Sequence, residues 1–167
     1  MADHLRHPSP TGHWVSGALT PYPQATRADT TVWFALPSDD EQQQWEALAA
    51  ESQADGSFLV RAVPLFAYDL NYGDRVSAVP SAEGSLVATR VLEDGRRFTF
   101  RVALHAGGST VPEVVRTYGS LGCLVEGWSE SLVGLSCEEV QAQAVADRLA
   151  TDEEQDRLAY ETGRQAS

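Results

Sequence analysis

Pro64-Leu-Phe-Ala-Tyr-Asp-Leu-Asn-Tyr-Gly-Asp-Arg-Val-Ser-Ala-Val-Pro80 joins a crowded aromatic and acidic segment to a short alternating one. Asn71, Gly73 and Asp74 suit a sharp reversal, because glycine accepts a positive φ and Asn and Asp bond to nearby backbone amides. The Val and Ala residues that follow suit a strand. The stretch therefore predicts a loop that runs directly into a β-strand and is held in place by the rest of the chain.

On the carboxyl side of this loop, turns at residues 81–84 and at Asp94-Gly95 separate strands predicted at residues 74–79, 85–92 and 97–105. An Asp-Gly pair between two alternating segments is a strong hairpin signal. In the last of these strands one face is apolar, and Arg101 and His105 lie together on the other, polar face.

Beyond residue 109 the pattern becomes helical. Thr110 and Glu113 have the spacing of a capping box, and apolar residues then recur at helical intervals. A hairpin (123–128 and 131–137), a second helix (139–150) and a last strand (158–162) follow. Together with the strand at 97–105 the order is βαββαβ, the ferredoxin-like arrangement.

The predicted fold class is therefore α+β, with four segments along the chain. Residues 30–95 form a small antiparallel barrel-like β-sheet, residues 96–163 form the ferredoxin-like half, and residues 164–167 are a tail. Residues 1–29 contain four prolines and show no period, so they are predicted to be a disordered or loosely docked N-terminal arm. His4, His7 and His13 in this arm are ligand types for a divalent metal, but without an ordered scaffold we interpret them as a chance grouping and predict no metal site.

Composition restricts the partners. The chain has 167 residues, 43% of them hydrophobic, and a formal net charge of −12, which repels phosphate backbones, so no nucleic-acid partner is expected. No apolar run approaches the length that spans a bilayer, and the first residues lack the apolar core of a signal peptide. We expect a cytoplasmic protein with no membrane partner.

The chain contains no lysine, since all 12 basic residues are arginine. Schiff-base enzymes, pyridoxal-phosphate enzymes and Walker-type nucleotide hydrolases are therefore excluded, and no cofactor is predicted. Cys123 and Cys137 have neither a zinc-ligand nor a Cys-x-x-Cys spacing. A hairpin turn between them would bring the two thiols close together, so a disulfide is geometrically allowed, but a reducing cytosol favours two buried thiols.

Four segments resemble a known family: Thr31-Val-Trp-Phe-Ala-Leu-Pro37, Ala62-Val-Pro-Leu-Phe-Ala67, Asn71-Tyr-Gly-Asp-Arg-Val76 and Leu121-Gly-Cys-Leu-Val-Glu126. Their pattern and order are similar to the uncharacterised bacterial proteins called domain of unknown function 4265, over about residues 30–162. The resemblance implies a fold and no chemistry. It implies that residues 41–51 are a strand leading through a turn at 53–56 into a strand at 58–63, whereas intrinsic propensity favours a helix for residues 41–51.

Three acidic or histidine side chains are candidates for catalysis: Asp69, Asp74 and His105. The two carboxylates can divide acid and base roles if their environments separate their pKa values. Alternatively, they cap turns, the usual role of Asp in a loop. His105, next to a glycine-rich loop, is placed as a general base, or it only forms hydrogen bonds at a strand end.

The candidate ligand-binding residues surround the same loop and are Phe66, Tyr68, Asn71, Tyr72, Arg101 and Trp128. Arg97 and Arg101 share a face and can bind a carboxylate or phosphate, or else pair with surface acids. Trp128 between two glutamates suits a cationic ligand, or else packs under its turn. We expect the loop to fold over the face that carries Arg101 and His105.

These features favour a binding or regulatory module that recognises a small molecule, a peptide or a partner protein. The alternative is a small cofactor-independent acid–base enzyme that tailors a peptide or other natural product. A structural subunit with a large apolar face is a third interpretation, and a homodimer is compatible with the sequence.

Overall fold

Twelve strands and two α-helices form the regular structure of residues 3–39 and 41–164, the part of the chain that this computed structural model describes. The strands are β1 (Asp3–Arg6), β2 (Gly12–Val15), β3 (Ala18–Pro21), β4 (Thr30–Ala35), β5 (Gln44–Ser52), β6 (Phe58–Val60), β7 (Arg75–Pro80), β8 (Leu86–Glu93), β9 (Arg97–Ala103), β10 (Leu124–Ser129), β11 (Leu132–Glu138) and β12 (Ala159–Thr162). The helices are α1 (Val111–Ser120) and α2 (Glu139–Glu154). The predicted α+β class is confirmed.

Strands β4 to β8 form a closed five-stranded barrel, in the order β5-β4-β8-β7-β6 with β6 paired back to β5. Consecutive strands are antiparallel, but β4 and β8 pair in parallel through Val32 and Trp33. The prediction of a purely antiparallel barrel is therefore wrong at this one seam. When five strands alternate in direction, the first and the last point the same way, so closing the barrel between them requires a parallel pair.

Residues 41–51, for which the family resemblance implied a strand and intrinsic propensity favoured a helix, contain most of β5, so the strand is confirmed. This strand pairs with β4 along one side and with β1 and β6 along the other. Leu48 and Ala50 on one face of this strand are fully buried. Strand pairing on both edges and burial of this face override the helix propensity of the Gln, Glu and Ala residues.

The second sheet has the strand order β12-β9-β11-β10-β2-β3, and all its pairs are antiparallel. One face is covered by α1 and α2 and forms an apolar core with residues such as Val102, Leu135 and Leu149. Helix α1 begins as predicted, since the Thr110 hydroxyl accepts a hydrogen bond from the backbone N–H of Glu113. Neither helix is long and apolar enough to cross a membrane.

Residues 61–74, which we call the crossing segment, connect β6 to β7 and run between the barrel and the uncovered face of the second sheet. At Gly134 on β11 a Cβ atom would lie 2.6 Å from Leu65 Cδ2 and 3.1 Å from Val63 Cγ1. The two layers therefore approach each other closely there. The aromatic and acidic stretch singled out in the sequence is therefore a packed connection between the two sheets.

The prediction of a disordered or loosely docked N-terminal arm is wrong for residues 3–29. Strand β1 extends the barrel by pairing in parallel with β5, whereas β2 pairs with β10 and places β3 at the edge of the second sheet. Each of these strands has only four residues. Such strands are too short to show an alternating pattern, and their partners lie far away in sequence.

Gly119→Ala tests this docking, because alanine normally stabilises a helix interior by about 0.5–1 kcal/mol relative to glycine. Here the added Cβ would lie 2.6 Å from the Cβ of Trp14 on β2. We expect the unfolding free energy to fall by about 1–3 kcal/mol, the usual cost of overpacking. Urea denaturation measures it, with Ser120→Ala, at an exposed position, as a control that stays within about 0.5 kcal/mol. A stabilised Gly119→Ala protein would show that β2 does not lie on α1.

Candidate functional site

A histidine from the N-terminal segment lies between two buried glutamates, one from each sheet. His7 Nε2 is 2.6 Å from Glu46 Oε2 on β5, and His7 Nδ1 bonds to Glu126 Oε2 on β10. The side chains of Glu46 and Glu126 are 0% and 1% exposed. We call this group the Glu-His-Glu clamp, since it joins the barrel to the second sheet.

The two carboxylates also hold the backbone of the crossing segment. Glu46 accepts hydrogen bonds from the three successive amides of residues 65–67, at 2.8–3.2 Å. Glu126 accepts from Val63 N at 3.0 Å and from the Thr11 hydroxyl. A segment that pairs with no strand thus finds acceptors for its buried N–H groups, which would otherwise cost stability.

Both imidazole nitrogens of His7 are engaged in hydrogen bonds within the clamp. Burial lowers the pKa of His7, but the hydrogen bonds and charges of Glu126 and Glu46 outweigh burial and raise the pKa to about 9. The imidazolium therefore donates to one carboxylate from each nitrogen at neutral pH. Both imidazole nitrogens thus bond directly to carboxylates, and among the described residues there is no group of three side chains placed to hold a metal ion. The clamp acts as a structural junction.

The clamp makes stability depend on pH. A folded-state pKa of about 9 against 6.5 for a free histidine means that the stabilisation is complete below pH 6.5 and is lost as the pH rises to 9. The loss is about 3 kcal/mol. Urea denaturation across this range should show the decline in the wild-type protein, and His7→Gln should be less stable at pH 6 and lose the decline.

His105→Asn is the control for this experiment, because His105 is 43% exposed and outside the clamp. It should keep the wild-type decline in unfolding free energy. A decline that persists in His7→Gln and disappears in His105→Asn would contradict the assignment.

A cleft of about 820 Å³ opens between the barrel and the start of α2. We call it the Tyr72 cleft, because the Tyr72 ring from the crossing segment forms its floor and is only 1% exposed. The other side chains that line it come from four stretches of the chain and are Tyr22, Gln24, Leu59, Arg61, Arg96, Arg97, Glu138, Glu139 and Val140.

Two arginines flank Tyr72 in this cleft. The Cζ atoms of Arg61 and Arg97 each lie 5.8 Å from the centre of the Tyr72 ring. Arg61 Nε donates to Glu51 Oε1 at 3.0 Å, and Arg97 donates to the side-chain and backbone oxygens of Ser136 at 2.8 and 3.0 Å. Both guanidinium groups are therefore fixed before any ligand arrives.

The Tyr72 hydroxyl donates to Gln24 Oε1 at 3.1 Å. Burial raises the pKa of Tyr72 to about 12, so the phenol is neutral at physiological pH. Of the ligand-binding residues predicted from the sequence, Tyr72 is the one that lines this cleft.

Most of the other predicted ligand-binding residues pack the crossing segment onto the second sheet. Arg101 is 3% exposed, donates to Ala67 O and to Glu161, and lies 4.6 Å from the centre of the Tyr68 ring. Phe66 packs edge-to-face on Trp128 at 4.9 Å. Trp128 thus packs against the crossing segment, and not under its own hairpin turn as the second of its two sequence interpretations proposed.

Asp74 uses both carboxylate oxygens to close the loop. Oδ2 accepts from Asn71 N at 2.9 Å and Oδ1 accepts from Gly95 N at 2.8 Å. Burial raises the pKa of Asp74, against the effect of these two hydrogen bonds. Asn71 Oδ1 accepts from the Thr99 hydroxyl at 2.6 Å.

Asp69 is exposed, with φ of 58°, and lies beside the barrel.

His105 lies elsewhere. Its Nδ1 is 3.1 Å from Ala106 O, its Nε2 is 3.6 Å from Asp156 Oδ1, and it lines a separate cleft with Ser109 at the start of α1. Strand β9 ends at Ala103, so His105 has left the sheet whose polar face carries Arg101. The expectation that the loop covers both side chains is right for Arg101 and wrong for His105.

The sequence reasoning missed His7, Glu46 and Glu126. One signal was present: Glu46 shares a strand face with Leu48 and Ala50, so it occupies a position in the buried alternation of β5. A carboxylate at such a position must find donors. Nothing in the local sequence identifies which histidine supplies one.

Asp74→Ala should leave two loop amides without their acceptor and lower the unfolding free energy by about 1–3 kcal/mol. Differential scanning calorimetry measures the change. Glu83→Ala, at an exposed position between β7 and β8, is the control and should stay within about 0.5 kcal/mol. Equal losses in the two variants would contradict the loop-closing role.

The fold and clefts define a small α+β protein in which a closed barrel is joined to a helix-covered sheet. The model of the family described as domain of unknown function (DUF4265) matches residues 46–160, so the chain belongs to that family. The match includes Glu46, Tyr72 and Glu126, and His7 lies outside it.

A crystal structure of a hypothetical protein from Neisseria gonorrhoeae has a similar fold, with a TM-score of 0.71 and 15% sequence identity, covering 83% of this chain and 96% of that protein. No curated protein matches the sequence.

Proposed function

We propose that this protein is a binding module for a small ligand and that the Tyr72 cleft is its site. The observation that carries the proposal is a cleft of about 820 Å³ with an aromatic ring and fixed guanidinium groups at its floor. Ligand sites are typically concave, largely preformed, and lined by apolar and aromatic side chains with a few fixed polar groups.

The way in which the cleft is built supports this proposal. Tyr22 and Gln24 come from the N-terminal segment, Leu59 from the barrel, and Val140 from α2. Side chains from distant parts of the chain meet there without filling the space between them. Val140 is 84% exposed, so an apolar side chain stands in water at the edge of the cleft. A bound ligand would cover it.

The acid–base alternative gains no comparable support. Asp74 is engaged in closing the loop, and His105 and Asp69 line two different clefts. The proposed catalytic residues therefore do not converge on one space. The imidazole that does lie between carboxylates, His7, has both nitrogens occupied.

Two further parts of the proposal concern architecture and location. The order β9-α1-β10-β11-α2-β12 with spatial order β12-β9-β11-β10 supports a ferredoxin-like second half, extended by β2 and β3.

Cys123 and Cys137 are buried free thiols, which fits the reducing cytoplasm as the site of action.

Val140→Trp tests the binding site, because a large side chain at the exposed edge of the cleft should block entry without disturbing the core. Titration with neutral, cationic and anionic aromatic fragments, followed by amide chemical shifts, should move Tyr72, Gly73 and Arg97. Val140→Trp should weaken these fragments about tenfold or more, a change of about 1.4 kcal/mol. Val79→Trp is the matched control, on an exposed position outside the cleft, and should bind as the wild type does. Shifts confined to residues around His105 would refute the proposed site.

A further inference from the structure

Three arginines converge on the Tyr72 cleft: Arg61, Arg96 and Arg97. The chain as a whole carries 24 acidic and 12 basic residues. A quarter of the positive charge of a strongly acidic protein therefore faces one cavity. We infer that the ligand of the Tyr72 cleft is an aromatic or planar compound that carries a carboxylate or a phosphate group, an inference that rests on the proposed binding function.

Carboxylates compensate the three arginines only in part, although Glu138 and Glu139 also line the cleft. Glu51 pairs with Arg61 at 3.0 Å, but Glu138 Oε1 is 3.8 Å from Arg97 Nη1, at the limit of an ion pair, and its side chain is 65% exposed. Arg96 is exposed, and among residues 3–39 and 41–164 no carboxylate lies within ion-pair distance of its guanidinium group. Arg96 thus remains available to an incoming anion, with Arg97 beside it.

The guanidinium group of Arg97 is held in a fixed position in the cleft. Arg97 is held by two hydrogen bonds to Ser136, which use its Nε and Nη2 atoms. Because the guanidinium group is already fixed, Arg97 loses little side-chain entropy when it binds an anion. Arginine also presents a planar set of donors that matches carboxylate and phosphate oxygens.

The aromatic part of the ligand follows from the other walls. The Tyr22 and Tyr72 rings meet edge-to-face at 6.0 Å, and Leu59 and Val140 add apolar surface. A flat apolar group fits among them while its anionic end reaches the guanidinium groups. The net charge of −12 repels free anions at long range, so selection must come from these short-range contacts.

Four probes of similar size test the ligand class: 4-hydroxybenzoate, phenyl phosphate, neutral 4-hydroxybenzamide and cationic benzylamine. Binding is followed by amide chemical shifts and calorimetry at low and high salt. The two anions should bind at least about tenfold more tightly than the amide and should lose affinity as salt rises. The anion that binds more tightly shows whether the natural ligand carries a carboxylate or a phosphate group.

Arg96→Gln should weaken binding of the anions about tenfold or more, the contribution of a single charge-assisted hydrogen bond, and should leave binding of the amide unchanged. Arg90→Gln, which removes an exposed arginine from β8 outside the cleft, is the control and should change nothing. If the amide or benzylamine binds in the cleft as tightly as the anions, the ligand class is wrong and the binding function stands. If Arg96→Gln has no effect on the anions, the inference is also overturned. If no probe shifts Tyr72, Gly73 or Arg97, the proposed function itself fails.

Discussion

The structure depends on the hydrogen bonds of His7 to Glu46 and Glu126. Two carboxylates that are fully removed from water would be costly if left unpaired. Here a single imidazolium donates to both, and four backbone amides of the crossing segment donate as well. Each partner is needed by the others: the amides need acceptors, the carboxylates need a cation, and the cation is held by their charge. The junction of the two sheets is therefore a polar network inside an otherwise apolar contact.

The clamp and the Tyr72 cleft are connected through two parts of the chain. The N-terminal segment that brings His7 to the clamp continues to Tyr22 and Gln24, which line the cleft, and Gln24 Oε1 accepts a hydrogen bond from the Tyr72 hydroxyl. Arg61, at the start of the crossing segment, lines the cleft on one side and a second cavity beside His7 on the other. The position of the cleft walls thus depends on the N-terminal segment being held in place.

Charged side chains play two different roles in this molecule. Asp74 and Arg101 are buried and bond mainly to the backbone of the crossing segment, so they determine its path. Arg97 is held by Ser136 and Arg96 is exposed, and both line an open cleft, whereas Arg61 lines it while 7% exposed and paired with Glu51. This difference separates residues that serve the fold from those available to a ligand, and residue type alone does not reveal it.

Asp94-Gly95 does separate two strands, but the hairpin predicted there is wrong, because β8 pairs with β7 and β4 in the barrel whereas β9 pairs with β11 and β12 in the second sheet. The sequence by itself determined the elements whose signals are local: the approximate positions of β7, β8 and β9, the capped start of α1 at Thr110, the second helix, and the apolar face of β9. These patterns lie within a few residues, where turn chemistry and side-chain period act directly. Only the tertiary structure decided between strand and helix for residues 44–52, and only it showed that the barrel closes with a parallel pair and that residues 3–21 contribute three strands. The physical reason is distance along the chain. His7 and Glu126 are 119 positions apart, and the burial that makes their hydrogen bond valuable exists only after both sheets have formed.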